Sequence, residues 1–188
     1  MARWLRRLDQ ATIRAVRNGR RPAWVTVARA VSALAEPAFC GPLLAACAVT
    51  TASRVGWRRA CAPCLVVASG AAARRALSKA VARPRPPAEV WLAEPEGFSL
   101  PSKHTTLAAL TVGACAGSLG AGGPMRYGLP LLAAAGTGAS RVYLGVHWPS
   151  DILAAWLFAE GWLRLSESVL PTSGGHSPHW HPVATLRD

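Results

Sequence analysis

The sequence predicts an all-α, membrane-embedded helical bundle of about five spans with an amphipathic N-terminal helix, and three observations carry that prediction. Hydrophobic residues make up 51% and charged residues 16% of the 188 positions, which is richer in apolar and poorer in charged groups than an ordinary soluble domain. The apolar residues fall in uncharged runs such as Pro37 to Ser53, close to the length of a bilayer span. The formal net charge of +12 gathers in the N-terminal segment and at the ends of those runs. Such placement suits arginines facing anionic headgroups and argues against a nucleic-acid partner, which would need a basic stripe along one face. Alanine and glycine let helices approach closely in a membrane, although a soluble alanine-rich bundle would share that composition.

Residues 1–23 form a basic segment. Ala2 to Ala23 is arginine-rich, with Leu5, Leu8, Ile13 and Val16 at roughly helical spacing, the pattern of a helix lying on a membrane surface. A cleavable signal is not expected, because no uninterrupted apolar stretch closely follows the charges. The spans occupy residues 24–170. Trp24 to Ala35 is apolar apart from Arg29 and short for a span, Pro37 to Ser53 is the first full one, and a second runs from near Ala60 to Arg74 and Arg75 and on as helix to Ala82. Arg83 to Ser102 is rich in proline and glutamate and reads as a loop, with Trp91 and Phe98 as interface anchors. His104 to Leu119 is the next helix, stopped by a Gly-rich turn, GAGGPMRYG, before Leu129 to Leu144 and Ile152 to Leu165. Residues 171–188 are expected to be a flexible tail. His176, His179 and His181 lie in it without the fixed framework that a metal site needs.

The five cysteines, at 40, 47, 61, 64 and 115, sit mostly in apolar runs and read as packing residues. Cys61-Ala-Pro-Cys64 has C-x-x-C spacing but neither a βαβ context nor a second ligand pair.

Chemistry concentrates in three polar clusters. Ser140 to Asp151 reads SRVYLGVHWPSD, with His147 six residues after Arg141 and four before Asp151. Pro149 suits the first turn of a helix, so Asp151 belongs in that turn with His147 just ahead of it. A carboxylate there can fix the imidazole tautomer and steady a positive charge developing on it, while the Arg141 fork matches a phosphate oxyanion. The other clusters are Arg83-Pro-Arg85-Pro-Pro at a helix end and Pro101-Ser-Lys-His104 at a helix start. There Ser102 reads as an N-cap that leaves backbone N–H groups for an anion. The helix count puts all three clusters on one side of the membrane. Arg85, Lys103, His104 and Arg141 would then surround His147, and phosphoryl transfer relies mostly on such positioning and charge stabilisation.

The runs RPRP, PSKH and SR-x5-H-x3-D, in this order, resemble the three-part signature of the type 2 phosphatidic acid phosphatase family, whose site is shared with vanadium haloperoxidases. The resemblance covers Lys79 to Asp151 and the helical pattern around it. It implies catalysis with no metal or cofactor. His147 attacks phosphorus and becomes a phosphohistidine, Asp151 orients it, His104 protonates the leaving oxygen and later activates water, and Arg85, Ser102 and Arg141 hold the phosphoryl oxygens. Two positions depart from the family. Glycine is usual where Lys103 stands, and the lysine usual seven residues before the arginine of the RP pair is Ser78 here, with Lys79 one residue too late. Either Lys79 reaches the phosphate or Lys103 replaces the missing cation.

The resemblance therefore implies an integral membrane lipid phosphatase acting on a phosphate monoester or pyrophosphate. The alternatives are a haloperoxidase or soluble acid phosphatase on the same scaffold, and a non-catalytic membrane relative. Among lipids, the short chain and compact loop lean toward a long polyprenyl carrier. The arginines of 54–59 and Arg126 lie opposite the clusters, so the positive-inside rule favours the extracytoplasmic face of a multi-pass protein of the cell membrane. The arginine-rich N-terminus agrees if Trp24 to Ala35 helps to cross the membrane. If that segment lies in the interface, the N-terminus shares the catalytic side and the rule points the other way. The abundance of arginine over lysine points to a bacterial source.

Overall fold

A computed structural model describes residues 3–169 of the chain, and the tail from 171 with its three histidines lies outside them. The helices are α1 (Arg3–Asn18), α2 (Pro22–Ala33), α3 (Pro37–Val55), the short α4 (Trp57–Ala60), α5 (Ala62–Val81), α6 (Lys103–Ser118), α7 (Gly123–Tyr143) and α8 (Pro149–Val169), with a 3-10 turn at Ala88–Val90. The described residues contain no strand. Proline marks the first turn of α2, α3, α5, α7 and α8, where its fixed φ helps and its missing N–H costs nothing.

The central helix is α6, packed against α3, α5, α7 and α8. Leu44, Val67, Leu110, Ala134 and Leu163 form the main core around it. A side chain at Gly113 would run into Leu163 and Pro130, so glycine at this crossing lets α6, α7 and α8 approach closely. The outer faces are the reverse of a soluble protein's: Phe39, Leu43, Val49, Leu65, Leu132, Leu153 and Leu157 are all exposed. An apolar belt of that kind is a liability in water and the proper surface in lipid. α3 and the combined α4–α5 segment, Trp57–Val81, are each long and apolar enough to cross a membrane. α6, α7 and α8, of 16, 21 and 21 residues, complete the bundle.

Three sequence expectations need adjustment. The amphipathic helix stops at Asn18, and Pro22 opens a separate α2 rather than extending α1 to Ala23. The Gly-rich turn is shorter than expected, because α7 starts at Gly123, with Pro124 in its first turn, and Met125 to Gly128 are helical. Trp91 is not an interface anchor: it packs against the buried Leu144 and Val146 cluster and its Nε1 donates to the Pro86 carbonyl at 2.9 Å. Phe98 is exposed as expected.

The 83–102 loop is fastened along its length. Leu92 N donates to Leu144 O at 2.9 Å, and Arg20 Nη2 and Arg29 Nη2 donate to Val90 O at 2.6 Å and Leu92 O at 3.0 Å. The loop enters from α5 through Ala82, which has φ 47° and ψ 38°, a left-handed conformation costing a non-glycine residue about 1 kcal/mol. Ala82→Gly is therefore expected to stabilise the protein by about that amount, read as a higher Tm in detergent; an unchanged or lower Tm would count against it.

Candidate active site

The polar clusters, far apart in sequence, meet at one end of the bundle. Asp151 lies in the first turn of α8, is fully buried, and is shared by several donors. Its Oδ2 faces His147 Nδ1 at 3.3 Å and accepts from Trp148 N at 2.9 Å. Its Oδ1 is bound by Arg83 Nη1 and, at 3.4 Å, by the Ser99 hydroxyl. On the other side of the ring, His147 Nε2 lies 3.2 Å from Arg85 Nη1. An arginine can only donate, so Nε2 carries the lone pair and Nδ1 the proton that goes to Asp151. The chain runs from α7 to His147 through Gly145, whose φ is 77° and where any Cβ would strike the Val90 carbonyl.

One residue that sequence reasoning did not place, Asp9, completes the carboxylate side. Arg83 also reaches Asp9 Oδ2 at 2.7 Å, and Ser150 donates to Asp9 through its N at 3.0 Å and its Oγ at 2.6 Å. Asp9 comes from α1, where it and Ile13 are the buried residues. An acidic residue in an arginine-rich amphipathic helix gave no sequence signal beyond its being the only acid there.

On the opposite side of His147 the charges are positive. Every N–H of the Arg85 fork is engaged: Nη1 with Val146 O at 2.7 Å and His147, Nη2 with Glu96 O at 2.6 Å and Phe98 O at 3.0 Å, and Nε with Gly97 O at 2.9 Å. Arg141 is buried on α7, donates from Nη1 to Ser32 Oγ at 2.8 Å, and has a buried Nε with no partner. Arg74 on α5 donates from Nε to Pro101 O at 3.0 Å and from Nη2 to Ser78 Oγ at 3.3 Å. No carboxylate among the described residues forms an ion pair with Arg74, Arg85 or Arg141.

The remaining sequence candidates divide. Ser102 is fully buried and caps α6, accepting from Thr105 N at 3.5 Å, while its own N approaches Asp151 O at 3.5 Å. His104 is buried with Nε2 at 2.5 Å from Glu36 Oε1, a carboxylate delivered by the residue before α3. Burial raises the Glu36 pKa, but the hydrogen bond and charge of His104, with Lys103 and Arg141, outweigh it and hold the group below its ordinary range. Lys103 does not supply an unpaired cation, since its Nζ lies 3.4 Å from Glu96 Oε2 and 4.0 Å from Glu36 Oε2. Lys79 is not brought into the cluster at all. Ser78 is buried and Lys79, a step of about 100° further round the helix, is exposed.

Burial pushes the His147 imidazole down to about 4, with the Asp151 hydrogen bond opposing and Arg85 adding to the fall. The Arg85 guanidinium is pushed down to about 10 by burial and then by Arg141, with Asp151 opposing and Arg74 adding. A neutral, oriented imidazole thus faces a group of guanidinium donors. That arrangement is chemically suited to nucleophilic attack on a bound anion.

A buried imidazole beside clustered guanidiniums, at the end of a helical bundle with an apolar outer belt, is the kind of site that suits phosphoryl transfer in a membrane protein. The chain belongs to the PAP2 superfamily, whose profile matches residues 59–173. Among solved structures it is similar to a transmembrane PAP2-type phosphatidylglycerolphosphate phosphatase from Bacillus subtilis, with a TM-score of 0.79 and 25% identity over 89% of this chain and 87% of that one. No curated protein sequence matches it significantly.

Two outcomes are expected. In ¹⁵N-histidine NMR, His147 should stay neutral at pH 5.5 and gain its proton only near 4. Its folded pKa lies below the unfolded value of about 6.5, so the unfolded chain binds more protons between those values and stability should fall as pH drops through that window. A His147 titration centred near 6.5 would contradict this. Second, Asp9→Asn should lower turnover about tenfold or more but have little further effect in an Arg83→Gln background, because the carboxylate acts through that arginine. Additive losses across the cycle would mean that Asp9 serves only to dock α1.

Proposed function

We propose that the protein is an integral, multi-pass membrane lipid phosphatase that hydrolyses a phosphate monoester or pyrophosphate through a phosphohistidine, using side-chain cations in place of a metal. The observation that carries the reading is the arrangement at His147, with Nδ1 on the Asp151 carboxylate and Nε2 at 3.2 Å from Arg85. In the first half-reaction, Nε2 attacks phosphorus, the P–N bond forms, and the P–O bond to the lipid breaks as His104 gives its proton to the leaving oxygen. In the second, His104 takes a proton from water, the resulting hydroxide oxygen attacks phosphorus, and the P–N bond breaks to release phosphate and free His147. Arg85 and Arg141 stabilise the charge on the phosphoryl oxygens, and Asp151 stabilises the charge on the imidazole. When phosphate arrives, the Arg85 N–H that now points at Nε2 is the one free to switch to a phosphoryl oxygen.

A lipid substrate is supported by a groove of about 330 Å³ between α3, α5 and α6. Its walls include Leu44, Val67, Leu107 and Leu110, and Arg74, Arg75 and Lys103 also line it. That combination suits an apolar tail with an anionic head. The structural neighbour acts on phosphatidylglycerolphosphate according to its description, and the present chain is assigned the broader class of lipid phosphates, with polyprenyl phosphates included. The arginines at 54, 58 and 59 and Arg126 lie at the end of the bundle away from His147, and this loop bias supports an extracytoplasmic site under the positive-inside rule. The arginine-rich α1, tied to the His147 end through Asp9, weighs on the other side, so labelling decides.

The test is release of inorganic phosphate in EDTA from a panel of phosphatidate, phosphatidylglycerophosphate, polyprenyl pyrophosphate and polyprenyl-phosphoryl sugar phosphates. Activity on at least one substrate, abolished by His147→Ala, is expected; turnover that survives this substitution would remove the phosphohistidine. Sidedness is read by labelling Leu92→Cys and Trp57→Cys in a background lacking the native cysteines. Labelling of position 57 from outside would reverse the assignment.

A further inference from the structure

We propose that Arg74 holds a phosphoryl oxygen of the substrate, taking over from α5 the charge that the family resemblance expects from a lysine at position 78. The inference rests on the reading of the site as a phosphate site and names a residue that reading had not included.

Arg74 lies one helical turn before Ser78 on the same face of α5, and its Nη2 reaches the Ser78 hydroxyl at 3.3 Å. The guanidinium therefore occupies the neighbourhood that a longer side chain at 78 would fill. It is also anchored at the site. Nε donates at 3.0 Å to the carbonyl of Pro101, the residue directly before the buried Ser102 cap of α6. The group is near enough to Arg85 to depress that residue's basicity.

Donor counting separates Arg74 from Arg85 and the two lysines, and places it beside Arg141, whose buried Nε also lacks a partner. Arg85 spends its whole fork on four carbonyls and His147, so it can offer a phosphate only the N–H that His147 gives up. Lys103 is neutralised by Glu96 and Glu36, and Lys79 is exposed on the wrong side of the helix. Arg74 has neutral partners for two of its nitrogens, no carboxylate among the described residues, and a place on the wall of the α3–α5–α6 groove. A partly buried guanidinium held by a carbonyl and a hydroxyl, with part of its fork free and facing an open groove, lacks a counter-anion. A bidentate oxyanion contact satisfies both its charge and its geometry.

The test uses three forms of the full-length protein in detergent: wild type, Arg74→Gln, and Arg74→Gln combined with Ser78→Lys. For each, kcat/KM is measured with the best substrate of the panel, and stabilisation by inorganic phosphate is measured as a Tm shift. Arg74→Gln should reduce kcat/KM about a hundredfold and abolish most of the phosphate-induced shift. Ser78→Lys should restore a substantial part of both, because a lysine there returns the cation to the same place from a different residue. A variant that keeps near-normal kcat/KM and phosphate response would overturn the proposal. Loss without rescue would also overturn it, since Arg74 would then be a clamp on the Pro101 carbonyl or an anchor for lipid headgroups. If the wild type itself neither turns over lipid phosphates nor responds to inorganic phosphate, the phosphate-site reading fails, an outcome separable from failure of the Arg74 assignment.

Discussion

The buried carboxylate of Asp151 is the interaction on which the rest of this architecture depends. It joins the start of α8, the Arg83 loop, the His147 segment and, through Arg83, the surface helix α1. Burying a carboxylate without partners would be prohibitive, and both oxygens of Asp151 are engaged. Arg83 is itself shared with Asp9. Two carboxylates on one guanidinium leave a net negative charge behind the imidazole. In the proposed mechanism that residual charge has a use, because a histidine that forms a bond to phosphorus becomes positive and needs a counter-charge already in place.

His147 thus sits on a boundary between fields of opposite sign. Behind it lie Asp151 and Asp9, bridged by Arg83; ahead of it lies Arg85, with Arg141 near enough for its charge to act on the ring and Arg74 near enough to act on Arg85. The low dielectric of the interior strengthens both fields, and burial keeps the imidazole unprotonated so that its lone pair is available. Helix ends make the arrangement affordable. The cations come from α5, from the loop that follows it and from the C-terminal part of α7, so the charges gather near the interface and the lipid-facing middle of the bundle stays apolar.

Much of the fold was legible because its signals are local. Charge-free runs bounded by arginines gave the spans, and prolines gave their starts. The third cluster was also legible, since Pro149 fixes the helix start and the four-residue spacing from His147 to Asp151 does the rest. What escaped depends on distance in sequence. Asp9 is 74 residues from Arg83, and Glu36 is 68 residues from His104; neither pairing has a periodicity to betray it. Arg74 was hidden for a different reason. It reads as a juxtamembrane arginine next to Arg75, and only the helix phase half-buries Arg74 against Pro101 and Ser78 while Arg75, on the same groove, stays exposed. The same phase explains why Lys79, closer in sequence to the expected lysine position, is the wrong residue to replace it.

The cations ahead of His147 carry a cost that clarifies the design. In a bundle selected for stability alone, a buried arginine would be paired, as Arg83 is with two carboxylates and Arg126 is with Glu167. Arg141 instead has a buried Nε with no partner, Arg85 is held by carbonyl dipoles, and Arg74 by one carbonyl and one hydroxyl. Neutral acceptors fix the orientation of a guanidinium while leaving its charge uncompensated. The positions are therefore set in advance of binding, and the missing negative charge is left for a ligand to supply. Preorganised donors of this kind need not rearrange as charge builds on a phosphoryl group. Pairing the same arginines with carboxylates would make the bundle more stable and leave the site with nothing to offer an anion.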